Sequence, residues 1–244
     1  MSAPHRAAQT GAMRTISRII AAKGLDLSGA ATDAEGSPEA AGPGDPNWHH
    51  SARVADAVRR WKAATPPLFR EAEVSVPRAI AWADAALSDP AKAGTMLLTG
   101  PTGTGKTYQA FGALRHVALG GPRRRFEVIA INSADMYGRL RPTQTMGSAE
   151  AELRRLSTVQ FLFLDDLGTS KVTEWTEEIT YRLINYRYNH CLPTVITSNL
   201  PARDESGPDL TSFVGARVAS RLAEMVTALV PVIGGDRRRG QEAA

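Results

Sequence analysis

The chain has 244 residues, is 43% hydrophobic and carries a formal net charge of +4. That length allows one sizeable core or a core with a small appendage, and the charge is too mild to mark a nucleic-acid binder by itself. A single cysteine, Cys191, excludes a disulfide framework or a cysteine-based zinc site and suits a reducing cytoplasm, and no apolar run approaches the length of a membrane span.

Residues 1–24 hold Arg6, Arg14, Arg18 and Lys23 without an acid, a superficial likeness to an organellar transit peptide. The segment has few serines and no strong amphipathic moment, which argues against that role. Met13, Ile16, Ile19 and Ile20 recur at roughly helical spacing and predict a short helix over 11–24. Residues 24–47 are rich in Gly, Ala, Pro, Ser and Asp and cannot offset their ordering entropy, so they read as a linker. A second helix is expected over 51–64, stopped by Pro66 and Pro67, and a third over 76–87. These features set a helical and flexible N-terminal region, 1–64, apart from the rest of the chain, 65–244.

From residue 95 strand and helix alternate. Strands are expected over 95–99, 126–131, 160–165, 193–198 and 226–233, with helices between them, notably to about 119 and over 174–190. Such alternation predicts an α/β fold with a parallel sheet covered by helices on both faces.

The stretch GPTGTGKT, residues 100–107, follows the first strand and opens a helix, the context a phosphate-binding loop requires. Gly100, Pro101, Thr102, Gly103, Thr104 and Gly105 would fold so that backbone N–H groups point at phosphate oxygens, aided by the positive end of the helix. Lys106 would bridge the β- and γ-phosphates of ATP, and Thr107 would offer its hydroxyl oxygen to Mg²⁺. FLFLDDLG, residues 161–168, carries two acids at the carboxyl end of an apolar strand, where ligands sit in such sheets. Asp165 would hold Mg²⁺, mostly through water, and Asp166 would orient and deprotonate the attacking water. Aspartate is shorter than the glutamate many such ATPases carry there, so slow hydrolysis is expected. Asn199 leaves the 193–198 strand at the same edge, within reach of the water or the γ-phosphate. Arg217 and Arg221, four residues apart in GARVASRLAEM, share one helix face.

In this order the motifs resemble the AAA+ ATPases, and within them the DnaC-type replicative helicase loaders and their IstB-type transposition relatives. The resemblance spans about residues 65–239. PPLFREAEVS looks like the family's entry segment, INYRYNHCLPTVITSN the approach to its sensor-1 strand, GARVASRL its box VII and VIGGDRRR its last strand and tail. FLDDLG leans to the loader branch.

The resemblance implies a P-loop AAA+ core with a five-stranded sheet in the order 5-1-4-3-2. About eleven residues follow the last expected strand, too few for a C-terminal lid domain. Asn199 becomes sensor 1, and Arg221 an arginine finger completing a neighbour's ATP site, with Arg217 supporting it. Residues 131–146 fall where loaders insert a helix facing single-stranded DNA. Tyr137 would stack on a base there and Arg139 and Arg141 meet phosphates, with Arg123, Arg124 and Arg125 adding charge nearby. His49 and His50 alone make no zinc cage, so partner binding by residues 1–64 is an analogy.

The implied function is a cytoplasmic, Mg²⁺-dependent ATPase that loads a replicative helicase, binds single-stranded DNA and self-associates with ATP. The alternatives are an IstB-type transposition helper and a nucleotide-gated binding module with incidental hydrolysis. A small-molecule kinase is disfavoured, because the 161–168 and 193–200 motifs fit ATPase sensors.

Overall fold

The computed structural model describes residues 45–141, 146–169, 173–204 and 207–235. The helix expected over 11–24 and the linker as far as residue 44 lie outside the described residues, as does the tail beyond 235.

Five strands form one parallel sheet in the order β2-β3-β4-β1-β5, the expected 5-1-4-3-2 read from the other edge. They are β1 (Thr95–Thr99), β2 (Val128–Asn132), β3 (Phe161–Asp165), β4 (Thr194–Ser198) and β5 (Val226–Pro231). β1 and β4 are buried along their whole length, and β3 at every position except Asp165. These three are central strands covered on both faces, which is why their sequences are continuous apolar runs rather than alternations. β5, at the edge, alternates buried and solvent-facing positions over Ala228–Pro231. The register aligns Asn132 with Asp165 and Thr99 with Ser198. The carboxyl ends of β1, β3 and β4 therefore reach one rim together.

Helix α1 (Pro46–Ala64), a 3-10 turn (Pro67–Phe69), α2 (Pro77–Ser88), the short α3 (Pro90–Ala93) and α4 (Lys106–Leu119) build one side of the molecule. Trp61, Trp82, Phe111, Phe126 and Phe163 pack there in one apolar cluster. α5 (Ser133–Leu140), α6 (Met146–Thr158), α7 (Glu174–Asn189), α8 (Leu210–Val214) and α9 (Ala216–Met225) cover the other face. That second cluster holds Leu156, Leu183, Ile184, Val218 and Leu222.

α1 starts five residues earlier than its periodicity suggests, because Asp45 caps it by accepting from Asn47 N at 2.8 Å and Pro46 occupies the first turn. Ala57 and Trp61 on α1 are buried in the first cluster together with Met96, Leu114 and Phe163. The boundary placed at residue 64 therefore falls inside this body. Pro66 and Pro67 end the helix without ending the domain.

Arg187, on α7, is fully buried. Its guanidinium donates to the carbonyls of Leu156 and Ser157 (both 3.2 Å), Val159 (2.9 Å), Gln160 (3.3 Å) and Pro193 (2.7 Å), and to Thr194 Oγ1 (2.8 Å). One side chain thus joins the end of α6, the entry to β3 and the entry to β4. Burial pushes the guanidinium down to about 9, which leaves it protonated at neutral pH.

Candidate nucleotide site

The loop between β1 and α4 turns on three glycines with positive φ: Gly100 (143°), Gly103 (83°) and Gly105 (97°). At Gly100 a Cβ would stand 2.2 Å from the Val232 carbonyl oxygen, so the loop can lie against the chain after β5 only because no side chain is present. No side chain caps the first turn of α4. A loop of this shape opening into the positive end of a helix suits phosphate oxygens.

Lys106 is buried at 7% exposure. Its Nζ donates to the carbonyls of Gly100 (2.8 Å) and Pro101 (2.7 Å) and to Asn199 Oδ1 (2.9 Å). Asn199 in turn donates through Nδ2 to Asp166 Oδ1 at 2.5 Å. Thr107 Oγ1 donates to Asp165 Oδ1 at 3.0 Å. Lys106, Asn199 and Asp166 thus form one hydrogen-bonded chain beside the Thr107–Asp165 pair, assembled from the ends of β1, β3 and β4.

Sequence reasoning missed Thr197. This buried β4 residue donates to Asp165 Oδ1 at 2.5 Å and accepts from Asp166 N at 2.8 Å, so one hydroxyl orients one carboxylate and fixes the backbone of the next. Asp166 itself has a left-handed φ of 62°, a strained setting for a residue with a side chain. Its carbonyl accepts from Ser133 Oγ (2.8 Å) and Thr169 Oγ1 (2.9 Å), which hold the turn in place.

The donor set fits Mg²⁺ with a nucleotide. One hydroxyl and one carboxylate stand 3.0 Å apart beside a phosphate-type loop, and Mg²⁺ in such sites takes one or two protein oxygens, with phosphates and water supplying the rest. Among the described residues no group of three or more His, Cys, Asp or Glu side chains gathers as a metal cage.

The DNA-facing expectation changes in two respects. Tyr137 on α5 is turned inward: its hydroxyl pairs with Thr180 Oγ1 at 2.7 Å, its ring meets Trp175 edge-on at 6.1 Å, and burial pushes its phenol pKa up. Its hydroxyl is paired within the protein and its ring is partly buried against Trp175, so it is not a free stacking platform. Arg139 and Arg141 remain exposed, Arg139 lying 3.6 Å from Glu152. Arg123, Arg124 and Arg125 precede β2, whereas α5 follows it. They therefore sit about 15 Å away, at the other end of the strand.

Arg217 and Arg221 lie on α9 over two tyrosines of α7. Arg217 is 5.2 Å from the Tyr181 ring centroid and Arg221 4.6 Å from that of Tyr188. Arg221 Nε also donates to Asn185 Oδ1 at 3.2 Å, and Glu224 lies 3.7 Å away. The aromatic faces hold both guanidiniums in fixed orientations, and Arg221 keeps about a third of its side chain in solvent.

Among the described residues no helix is long and apolar enough to cross a membrane. The sequence pattern of the family described as IstB-like ATP binding protein matches residues 70–207, more than half of the chain. Two insertion-sequence proteins named for ATP binding are similar. That of IS1162 from Pseudomonas fluorescens is 34% identical over 107 residues, 44% of each chain. That of IS5376 from Geobacillus stearothermophilus is 28% identical over 104 residues, 43% of this chain and 39% of its own. The chain thus spans less than half the length of these two relatives. The crystal structure of the DnaC helicase loader superposes with a TM-score of 0.55 at 26% identity, over 72% of this chain and 99% of that one. On a P-loop AAA+ fold of the α/β class, the chain belongs to the IstB-like ATP binding protein family.

Proposed function

We propose that the protein is a cytoplasmic ATPase whose nucleotide state governs its assembly on DNA with a partner protein. The observation that carries this reading is the linkage of Lys106 to Asp166 through Asn199, beside the Thr107–Asp165 pair. ATP supplies the γ-phosphoryl group, and bound Mg²⁺ supplies charge neutralisation across its oxygens.

The chain's own groups do the rest. Lys106 provides the cation for β- and γ-phosphate oxygens, exchanging carbonyl partners for charge-assisted ones. Thr107 and Asp165 offer the oxygen atoms for the metal. Asp166 takes the proton of the attacking water as its oxygen bonds to the γ-phosphorus and the bond to the β-phosphate oxygen breaks. Asn199 holds the base and the lysine at a fixed separation. Arg221, partly exposed on its tyrosine, reaches the γ-phosphate of a neighbouring subunit.

The first reading of the partner is a replicative helicase, with single-stranded DNA as the second ligand. Its support is the likeness to the DnaC loader at 26% identity over nearly all of that chain, and aspartate rather than glutamate at position 166. A second reading, delivery of a transposase to DNA, is favoured by the insertion-sequence relatives.

Mixing two inactive proteins tests the shared site. Lys106→Ala retains the arginine and lacks a working loop, while Arg221→Ala has the reverse defect. Each alone should lose most hydrolysis, and activity should return on mixing; no recovery would sink the action in trans. Capture of a helicase or of a transposase by the full chain then separates the two partner readings.

A further inference from the structure

The turn between α4 and β2 is pinned to the start of α1. Gly120 follows α4, and Gly121 takes a φ of 63° so closely packed that a Cβ would stand 2.8 Å from the Val54 side chain and 3.0 Å from His50. Arg53 Nε donates to the Gly121 carbonyl at 3.3 Å, and its Nη2 lies 3.4 Å from His50 Nδ1. Gly121, Pro122 and Phe126 are all buried. Arg123, Arg124 and Arg125 are therefore carried on a turn anchored at both ends, and ordering them on a ligand costs less than ordering a loose basic tail.

The charges around this turn are unbalanced. Asp56 is occupied by Arg59 and by Arg60, the latter at 2.8 Å, and Glu127 by Arg125 at 3.2 Å. Among the described residues no carboxylate pairs with Arg53, Arg123 or Arg124. His49, Arg53, the three arginines and Asp56, the last already paired with Arg59 and Arg60, line one cavity of about 360 Å³. Trp48, exposed at 37%, stands beside His49 with their rings edge to face at 5.0 Å. The cavity lies at the far end of α4 from the phosphate loop, about 20 Å along the helix.

We infer that this arginine cavity is a binding surface for the phosphodiester backbone of single-stranded nucleic acid, with Trp48, which meets the cavity-lining His49, as a stacking platform for an unpaired base. Guanidinium forks without carboxylate partners match phosphate oxygens two at a time. An exposed indole beside them fits a base, and an acidic peptide has no use for it. The inference rests on the reading that the protein works on DNA and moves the contact from α5 to the opposite end of the edge strand β2.

The test is the affinity of the full chain for a fluorescent oligo-dT strand at several salt concentrations, with ATP binding measured in parallel. The double variant Arg123→Glu/Arg124→Glu should bind at least tenfold more weakly. The slope of log affinity against log salt should become shallower by about 1.4, near 0.7 for each lost phosphate contact. ATP binding should not change. Trp48→Ala should weaken oligo-dT about fivefold or more and leave duplex DNA binding alone. If Arg139→Glu/Arg141→Glu weakens binding while the Arg123/Arg124 pair does not, the surface is wrongly placed and the DNA reading stands. Wild-type protein that fails to bind oligo-dT would remove both. A poly-glutamate peptide competing as well as DNA would overturn the nucleic-acid assignment.

Discussion

Asn199 joins Lys106 to Asp166: its side-chain oxygen accepts from Lys106 Nζ at 2.9 Å, and its amide donates to Asp166 Oδ1 at 2.5 Å. The residue that would bind phosphate and the one that would activate water are thereby held by a single planar group. Asn199→Ala should leave nucleotide affinity within about threefold and reduce hydrolysis roughly a hundredfold, because the groups it aligns act together only in the transition state. Parallel binding and turnover measurements check this. A variant with raised KM and unchanged kcat would give Asn199 a binding role instead.

Thr197 should matter through the metal. Thr197→Val keeps the shape but removes the donor to Asp165 and the acceptor for Asp166 N, at a cost of about 1–3 kcal/mol for the stranded amide. The Mg²⁺ concentration needed for half-maximal nucleotide binding should rise several-fold, and Thr197→Ser should restore it. A fall in melting temperature with no change in Mg²⁺ dependence would reduce Thr197 to a packing residue.

The nucleotide loop was legible because its signal is local: glycines at fixed spacing between an apolar run and a helix. The runs of β1, β3 and β4 were legible because central parallel strands need no alternation. Thr197 was hidden because a threonine in a β-branched run reads as strand propensity. Its role appears only when β3 lies beside β4. The internal pairing of Tyr137 was hidden for a related reason, since its hydroxyl partner Thr180 lies 43 residues away. α1 was assigned outside the nucleotide-binding body because a Pro-Pro pair looks like a boundary, and only the burial of Trp61 shows otherwise. Arg187 could not be singled out in a chain where all but five of the 29 basic residues are arginine.

Arg187→Leu should destabilise the protein by about 3–5 kcal/mol, as its removal leaves buried carbonyls of Leu156, Ser157, Val159 and Pro193 without this donor. Arg187→Lys should recover little of that, because one ammonium cannot reach acceptors spread around a planar fork. Urea denaturation of both variants measures this, and a loss below about 1 kcal/mol for either would contradict the role.

Acid should loosen the contact between α5 and α6. A hydrogen bond from Arg155, with the charges of Arg155 and Arg139, holds the Glu152 carboxyl below its usual 4.5. A carboxyl whose folded value is depressed stabilises the fold fully at neutral pH and loses that contribution as pH falls below 4.5 through the lower folded value. The arginines are half exposed, so the effect should not exceed about 1 kcal/mol. Melting temperatures of wild type and Glu152→Gln should differ at pH 7 and converge towards pH 3. A gap that persists at pH 3 would assign the difference to packing.

The most direct test of the proposed chemistry compares nucleotide binding with turnover in Asp166→Asn, with Lys106→Ala as the binding-defective control. Asparagine keeps the size of the side chain and removes the base. The account predicts ATP affinity close to wild type, hydrolysis reduced by about two orders of magnitude or more, and weakened binding only in Lys106→Ala. Hydrolysis at the wild-type rate by Asp166→Asn would contradict it.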